Sequence, residues 1–381
     1  MRAGLYIHFP FCLRKCLYCD FNSTADAGVS HEEYVGLLLR EMELRRPALP
    51  EAAQAPTLYF GGGTPSLMAP ELVGRLVQSA ARLFALEADA EVTLEANPGT
   101  LTAEKLAGYR AAGVNRLSLG IQSFEDRLLA TLGRVHTAGE ALAAFEESRR
   151  AGFDNISIDL MHSLPGQSLA QWREALGRAI ELAPEHVSAY ALSVEEGTPF
   201  AGLYGSGKLA LPAEEDAARM FESTSELLCG AGYRHYEISN FAKPGRLARH
   251  NSAYWSRQSY LGFGAGAHSL LNPDGVGRRW HNAAGLDEYG AALGRGVIPE
   301  REVELLTLEE ALSEHFFLGL RMLDGLDLEP LRARYGGEAL AAHLAEVARL
   351  EASGALIRAG SRVRLAPGSV IVANSIFSRF L

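Results

Sequence analysis

The chain has 381 residues, with 36 Lys and Arg against 46 Asp and Glu and a formal net charge of −10 at pH 7. Its 48% hydrophobic and 22% charged residues are an ordinary globular composition, long enough for two or three domains at roughly 150 residues each. The acid excess argues against a nucleic-acid partner, which needs clustered Lys and Arg, and no apolar run reaches the roughly 18 to 20 residues that cross a bilayer. The opening MRAGLYIHFPFC reads as a short strand without the long apolar stretch of a signal peptide. A cytoplasmic location is therefore expected, and the composition leaves room for a peripheral membrane contact.

Short β-rich runs alternate with helical spacing through the first half. Strands are predicted at Gly4–Phe9, Thr57–Phe60, Ala90–Glu95, Arg116–Ile121, Asn155–Met161 and His186–Leu192. Between them the spacing predicts helices over Glu32–Leu44, Pro70–Phe84, Thr102–Ala112, Ala138–Ala151 and Leu169–Leu182. Runs such as LYIHF, TLYF and LSLGI suit strands buried on both faces, and strands joined by helical crossovers pair in parallel. Six units fall short of the eight in a closed barrel. The expectation is an α/β fold, a partial (β/α)6 barrel of the TIM type.

After Leu192 the rhythm breaks. Val194–Lys208 reads as a Gly-rich loop, Ala213–Gly230 as a helix, and Tyr233–Tyr289 as a stretch of Gly, His and aromatics with little periodicity. Helices follow over Leu308–Leu323, Leu328–Tyr335 and Glu338–Ser353, then a hairpin turning at Gly360-Ser361. Three helices and a hairpin resemble a winged-helix module. Residues 300–381 carry 9 Arg, no Lys and 12 acidic residues, which favours a structural or protein-contact role over DNA reading. The domains are placed at 1–232, 233–299 (a connecting segment) and 300–381.

Four cysteines are few, and three of them, Cys12, Cys16 and Cys19, fall in one C-x3-C-x2-C stretch directly after the first predicted strand. Dispersed pairs would suit a disulfide framework; this cluster suits a reducing compartment and a metal site. Three thiolates from one loop can hold three irons of a cubane cluster and leave the fourth open. Zinc is the rival, although structural zinc prefers two separated ligand pairs. Cys229 stands alone and reads as a small core residue.

With Tyr18 just before the last cysteine, this stretch resembles the signature of the radical S-adenosylmethionine superfamily. The resemblance implies a 4Fe–4S cluster on Cys12, Cys16 and Cys19, with S-adenosylmethionine chelating the open iron and cleaved to a 5′-deoxyadenosyl radical. Tyr59-Phe60-Gly61-Gly62-Gly63-Thr64-Pro65 follows the second strand. Read alone it is a tight turn or a place where main chain approaches a ligand; by resemblance Gly62, Gly63 and Thr64 receive the cofactor's methionine amino group. Glu95 ends the third strand, where a carboxylate in an apolar run is salt-bridged or functional. Gln122 ends the fourth, Arg134 follows it, and Asp159 points inward from the fifth; each also reads as a buried polar residue satisfied by neighbours. Jointly these residues match the cofactor-binding set of the oxygen-independent coproporphyrinogen III oxidase-like branch, as does Tyr6, which is otherwise a core strand aromatic.

Two relatives share that framework. The coproporphyrinogen III dehydrogenase carries a further cysteine two residues after the third and an extension ahead of the motif. Here Phe21 takes that position and eleven residues precede Cys12. Both features instead match the HemW family of heme chaperones, which also carries H-N-x-x-Y-W, present as His250-Asn251-Ser252-Ala253-Tyr254-Trp255. Imidazole ligates heme iron and aromatics cover a porphyrin face, so His250, Tyr254 and Trp255 are the heme candidates. His268, in the Gly-rich run just beyond, is a weaker one. The resemblance implies heme and acceptor hemoproteins such as respiratory oxidases as partners, and a monomer that dimerises once cluster and cofactor are bound.

Overall fold

The computed structural model describes residues 1–26, 28–50 and 53–381. Six strands, β1 (Gly4–Phe9), β2 (Ala55–Gly62), β3 (Leu86–Ala96), β4 (Arg116–Gln122), β5 (Ile156–His162) and β6 (His186–Ala191), lie side by side in chain order and in parallel. The crossovers carry α1 (His31–Arg45), α2 (Pro70–Phe84), α3 (Ala103–Ala111), α4 (Asp126–Leu132), α5 (Ala138–Arg150) and α6 (Leu169–Leu182). Capping boxes at Ser30/Glu33, Thr137/Glu140 and Ser168/Gln171 start α1, α5 and α6, each satisfying amide groups that the first turn leaves unpaired. The six strands are nearly all buried because helices cover the sheet, and their Leu, Ile and Phe side chains build the main core.

The run does not close. After α7 (Pro199–Gly205) and α8 (Glu214–Gly230), β7 (Arg234–Glu237) and β8 (Asn240–Ala242) add antiparallel strands beyond β6. On the other edge, α9 (Arg249–Trp255) leads to β9 (Tyr260–Phe263), parallel to β1. Antiparallel β10 (His268–Leu271), β11 (Arg278–Asn282), α10 (Leu286–Gly294) and β12 (Glu300–Leu305) then complete a sheet of twelve strands. Segment 233–299, read in sequence as a connector, thus supplies five strands and two helices to the same body.

Helix α1 clamps the added edge. Buried Glu41 accepts from Arg45 Nε at 2.7 Å, from the Tyr289 hydroxyl at 2.7 Å, from Asn282 Nδ2 at 2.8 Å and from the Gly264 amide at 2.9 Å. The C-terminal part forms a second core from α11 (Leu308–Gly319), α12 (Leu328–Tyr335), α13 (Ala341–Ala352) and α14 (Ala373–Phe377). Its three-stranded sheet is β13 (Leu326–Asp327), β14 (Leu356–Ala359) and β15 (Arg362–Leu365), with β15 central. The predicted hairpin is β14–β15, turning through Gly360 at φ +62°. Among the described residues no helix is long and apolar enough to cross a membrane.

Candidate cofactor and ligand site

The cysteine loop leaves β1 at Phe9 and is held on both flanks. Thr24 O accepts from the Cys12 amide at 2.9 Å, Leu132 O from the Leu17 amide at 3.1 Å, and Leu17 O from the Phe200 amide at 3.0 Å. Leu17 and Tyr18 pack on a small apolar cluster of Leu128, Leu132, Met161, Leu164, Leu192 and Phe200. The loop therefore sits at the carboxyl end of the parallel strands, where folds of this kind place their chemistry. Cys12, Cys16 and Cys19 are free and half-buried, and burial pushes the Cys19 thiol up from its ordinary pKa.

The second strand ends against this loop. The Gly63 amide donates to Phe9 O and the Thr64 amide to Phe11 O, each at 2.8 Å. A Cβ on Gly63 would stand 2.6 Å from Phe11 O, and Gly62 has φ +112°, so neither position tolerates a side chain. This close crossing places the Thr64 hydroxyl 3.5 Å from Cys12 Sγ. From the far side Arg134 Nη1 reaches Cys16 Sγ at 3.6 Å while its Nη2 donates to Gly120 O at 2.7 Å. Donors of this kind stabilise thiolate sulfur. Arg134 Nε is buried with no partner among the described residues, a donor left over for an anionic group.

Cys12, Cys16, Tyr18, Cys19, Gly62, Gly63, Thr64, Glu95, Gln122, Arg134 and Asp159 all border one cavity of about 370 Å³. Glu95 accepts from the Tyr59 hydroxyl at 2.7 Å, and its carboxyl is raised to about 7, first by burial and further by Asp159. Asp159 accepts from Ser118 Oγ at 3.1 Å and is also raised by burial. Gln122 sits at φ +66°, where the β4–β5 register shifts; that kink turns its amide towards the cavity rim. Tyr190, at the end of β6, also lines the space. In the sequence it falls inside the predicted strand His186–Leu192 with no motif to mark it. Among the described residues no group of three His, Cys, Asp or Glu is arranged to hold a single metal ion, whereas a cubane takes one thiolate per iron and spaces its ligands more widely. Thiol donors, glycine crossing and spare guanidinium fit a cluster with a charged organic ligand beside it.

Tyr6 does not reach that cavity. It lines a second one of about 690 Å³, with His8, Phe21, Asn22, Tyr254, Trp255, Tyr260, His268, Arg279 and Phe317 among its walls. Phe21, Gly62 and Glu95 border both spaces. His250 lies behind this wall: Nδ1 meets Thr57 Oγ1 and Nε2 meets the Tyr254 hydroxyl, each at 2.8 Å. Its ring stacks on Tyr59 at 5.0 Å, and burial holds its pKa down at about 3. Tyr254 and Trp255 therefore face the cavity, and His250 holds Tyr254 from the core.

Residues 6–179 match the model of the radical SAM superfamily, and residues 306–367 that of the HemN C-terminal domain. The heme chaperone HemW of Bacillus subtilis is 38% identical over 99% of this chain and 98% of its own length. Its counterpart in Escherichia coli is 41% identical over 79% of this chain and 78% of its own. A mitochondrial radical S-adenosyl methionine domain-containing protein 1 of Bos taurus is 39% identical over 84% and 73%. Coproporphyrinogen III oxidase (HemN) from Escherichia coli superposes with a TM-score of 0.83 at 23% identity, over 99% of this chain and 89% of that one, so it shares the fold. Membership of the superfamily implies a 4Fe–4S cluster and S-adenosylmethionine. With 38% identity spanning nearly the whole of both chains, the protein belongs to the HemW family of radical SAM heme chaperones.

Proposed function

We propose that this chain binds heme in the 690 Å³ cavity and passes it to acceptor hemoproteins, respiratory oxidases among them, from the cytoplasm. Cys12, Cys16 and Cys19 would hold a 4Fe–4S cluster and the adjoining cavity would hold S-adenosylmethionine, and their binding would set the state of the chaperone. The observation that carries this reading is the pair of cavities meeting at Phe21, Gly62 and Glu95. One is rimmed by thiols and polar groups. The other has aromatic walls and lies within the roughly 300–1,000 Å³ typical of organic ligands. Cluster and cofactor together supply one-electron chemistry. The chain's own residues would hold and orient the cofactor: Gly62, Gly63 and Thr64 would receive the ammonium end, the spare Arg134 N–H the carboxylate, Gln122 and Asp159 the ribose and base, and Glu95 would give a further hydrogen bond. Tyr6 serves the heme side of the wall, a reassignment from its expected cofactor contact. Binding of cluster and cofactor is read as the trigger for dimerisation.

The alternative is decarboxylation of coproporphyrinogen III. Phe21, 60% exposed, stands where that enzyme has its extra cysteine, which favours the chaperone. Anaerobic cluster reconstitution followed by separate titrations with heme and coproporphyrinogen III tests the choice. A stoichiometric heme complex without carbon dioxide release is expected; decarboxylation without a heme complex would reverse the conclusion.

A further inference from the structure

The larger cavity has three histidines on or behind its wall, and they differ in what their nitrogens do. His8 uses both: Nδ1 accepts from the Tyr6 hydroxyl at 3.1 Å, and Nε2 donates to Asn22 O at 2.8 Å. His250 also uses both, with Thr57 and Tyr254. A ligand bond from either would leave a buried partner unsatisfied, at a cost of about 1–3 kcal/mol. His268, on β10, lines the cavity and is exposed to it, and among the described residues its ring nitrogens have no hydrogen bond.

Its surroundings suit an iron ligand. The ring leans on His281, its cross-strand partner, with centroids 5.2 Å apart, which limits the positions it can adopt. Burial, His281 and Arg279 hold it below the ordinary imidazole pKa, so the neutral, metal-binding form prevails at neutral pH. Gly266 and Ala267 precede it and keep the adjoining wall free of bulk. The turn before His268 is also tied to the cysteine loop. Asn22, three residues past Cys19, donates from Nδ2 to Ala265 O and Ala284 O at 3.1 Å each. A Cβ on Gly266 would stand 2.6 Å from that same nitrogen.

We infer that His268 is the imidazole that ligates heme iron in this cavity, and that His250 is a positioning residue acting through Tyr254. The inference rests on the reading that the cavity takes heme. It assigns the chaperone's iron contact to the Gly-rich turn rather than to the H-N-x-x-Y-W motif, and it links that contact to the cluster loop through Asn22.

The test titrates the full, cluster-reconstituted chain with ferric heme and follows absorption and electron paramagnetic resonance. The wild type should give a histidine-ligated complex. His268→Ala should weaken binding by about tenfold or more and lose the histidine signature, which millimolar free imidazole should restore. His250→Gln should weaken binding yet keep that signature. His268→Met, which preserves bulk, should bind with a thioether-type spectrum and covers the case in which His268→Ala misfolds. An unchanged spectrum in either His268 variant, or loss of the signature only in His250→Gln, would overturn the assignment while leaving heme binding standing. A wild type that takes up no heme overturns the cavity reading as well.

Discussion

The Tyr59 hydroxyl donates to the Glu95 carboxylate at 2.7 Å in the wall that the two cavities share. Burial is the main reason the Glu95 carboxyl rises from 4.5 to about 7, with Asp159 adding to it and the Tyr59 bond opposing it. The folded state thus holds this proton more tightly than the unfolded chain. The contribution to stability is complete below pH 4.5, falls as pH rises to about 7, and is level above that. At 1.4 kcal/mol per pKa unit, discounted for a half-buried site, the loss is about 2 kcal/mol. Urea midpoints of the apo chain from pH 4.5 to 8 should show this fall, and Glu95→Gln should flatten it. A variant with the wild-type slope would remove Glu95 as its source.

His250 carries the opposite linkage. Its pKa lies near 3 because burial and the nearby Arg116 disfavour the cation, so the unfolded chain takes up a proton first. Stability is complete above pH 6.5 and is lost as pH falls from 6.5 towards 3. Truncation to Ala should cost about 2–4 kcal/mol at pH 7, through two orphaned hydroxyls, on Thr57 and Tyr254, and a cavity beside Tyr59. Thermal or urea unfolding at pH 7 measures it; a loss below about 0.5 kcal/mol would mean that the ring is not a core element.

These two residues show where the sequence was legible and where it was not. Strands β1–β6 stood out because each holds a β-rich stretch of consecutive buried residues, although β3 is exposed near its start and β6 at its end, and β1 and α2 match their predicted bounds. Gly62, Glu95 and Gln122, at or next to strand ends, and Asp159, inside β5, border one cavity because parallel strands bring their carboxyl ends to one rim. Strands β7–β11 were not visible. They run only three to five residues, and their pairing comes from β1, β6 and each other rather than from local pattern. Helix α4, seven residues ended by Gly133 at φ +77°, is too short to register a period. His250 was legible as chemistry because a motif carries it, whereas its hydrogen bonds to residues 193 positions away and one turn away depend on the fold. Tyr6 likewise faces a different cavity from its expected one because alternation fixes only its side of the sheet.

Arg134 tests the smaller cavity. Its guanidinium touches Cys16 Sγ and Gly120 O and keeps one buried N–H unpartnered. Arg134→Ala should weaken S-adenosylmethionine binding by about tenfold to a hundredfold, the 1.5–3 kcal/mol of a charge-assisted bond, with the cluster still assembled. Arg134→Lys should recover little, since one ammonium cannot span the same three directions. Equilibrium dialysis against the reconstituted protein measures both, and wild-type affinity in Arg134→Ala would place the carboxylate elsewhere.

Glu41 tests whether the added edge of the sheet is held by α1. Both oxygens are fully buried, and they collect hydrogen bonds from Arg45, Asn282, Tyr289 and the Gly264 amide, which lie on α1, β11, α10 and the turn after β9. Arg45 in turn bonds Glu300 at 2.8 Å and Asn282 at 2.6 Å. Removing the carboxylate leaves Arg45 with Glu300 as its remaining carboxylate partner and orphans the Arg45 Nε, Asn282, Tyr289 and Gly264 donors, so Glu41→Ala should cost about 3–5 kcal/mol. The double variant Glu41→Ala with Arg45→Met should cost less than the two single variants added together, because the Arg45 Nε left without its partner goes with it and Glu300 keeps Arg278. Hydrogen exchange should then show the loss of protection concentrated in β9–β12, next to His268, and not in β2–β5. Uniform loss across the sheet would mean that Glu41 stabilises the core as a whole, and that the edge carrying the proposed iron ligand has no separate anchor.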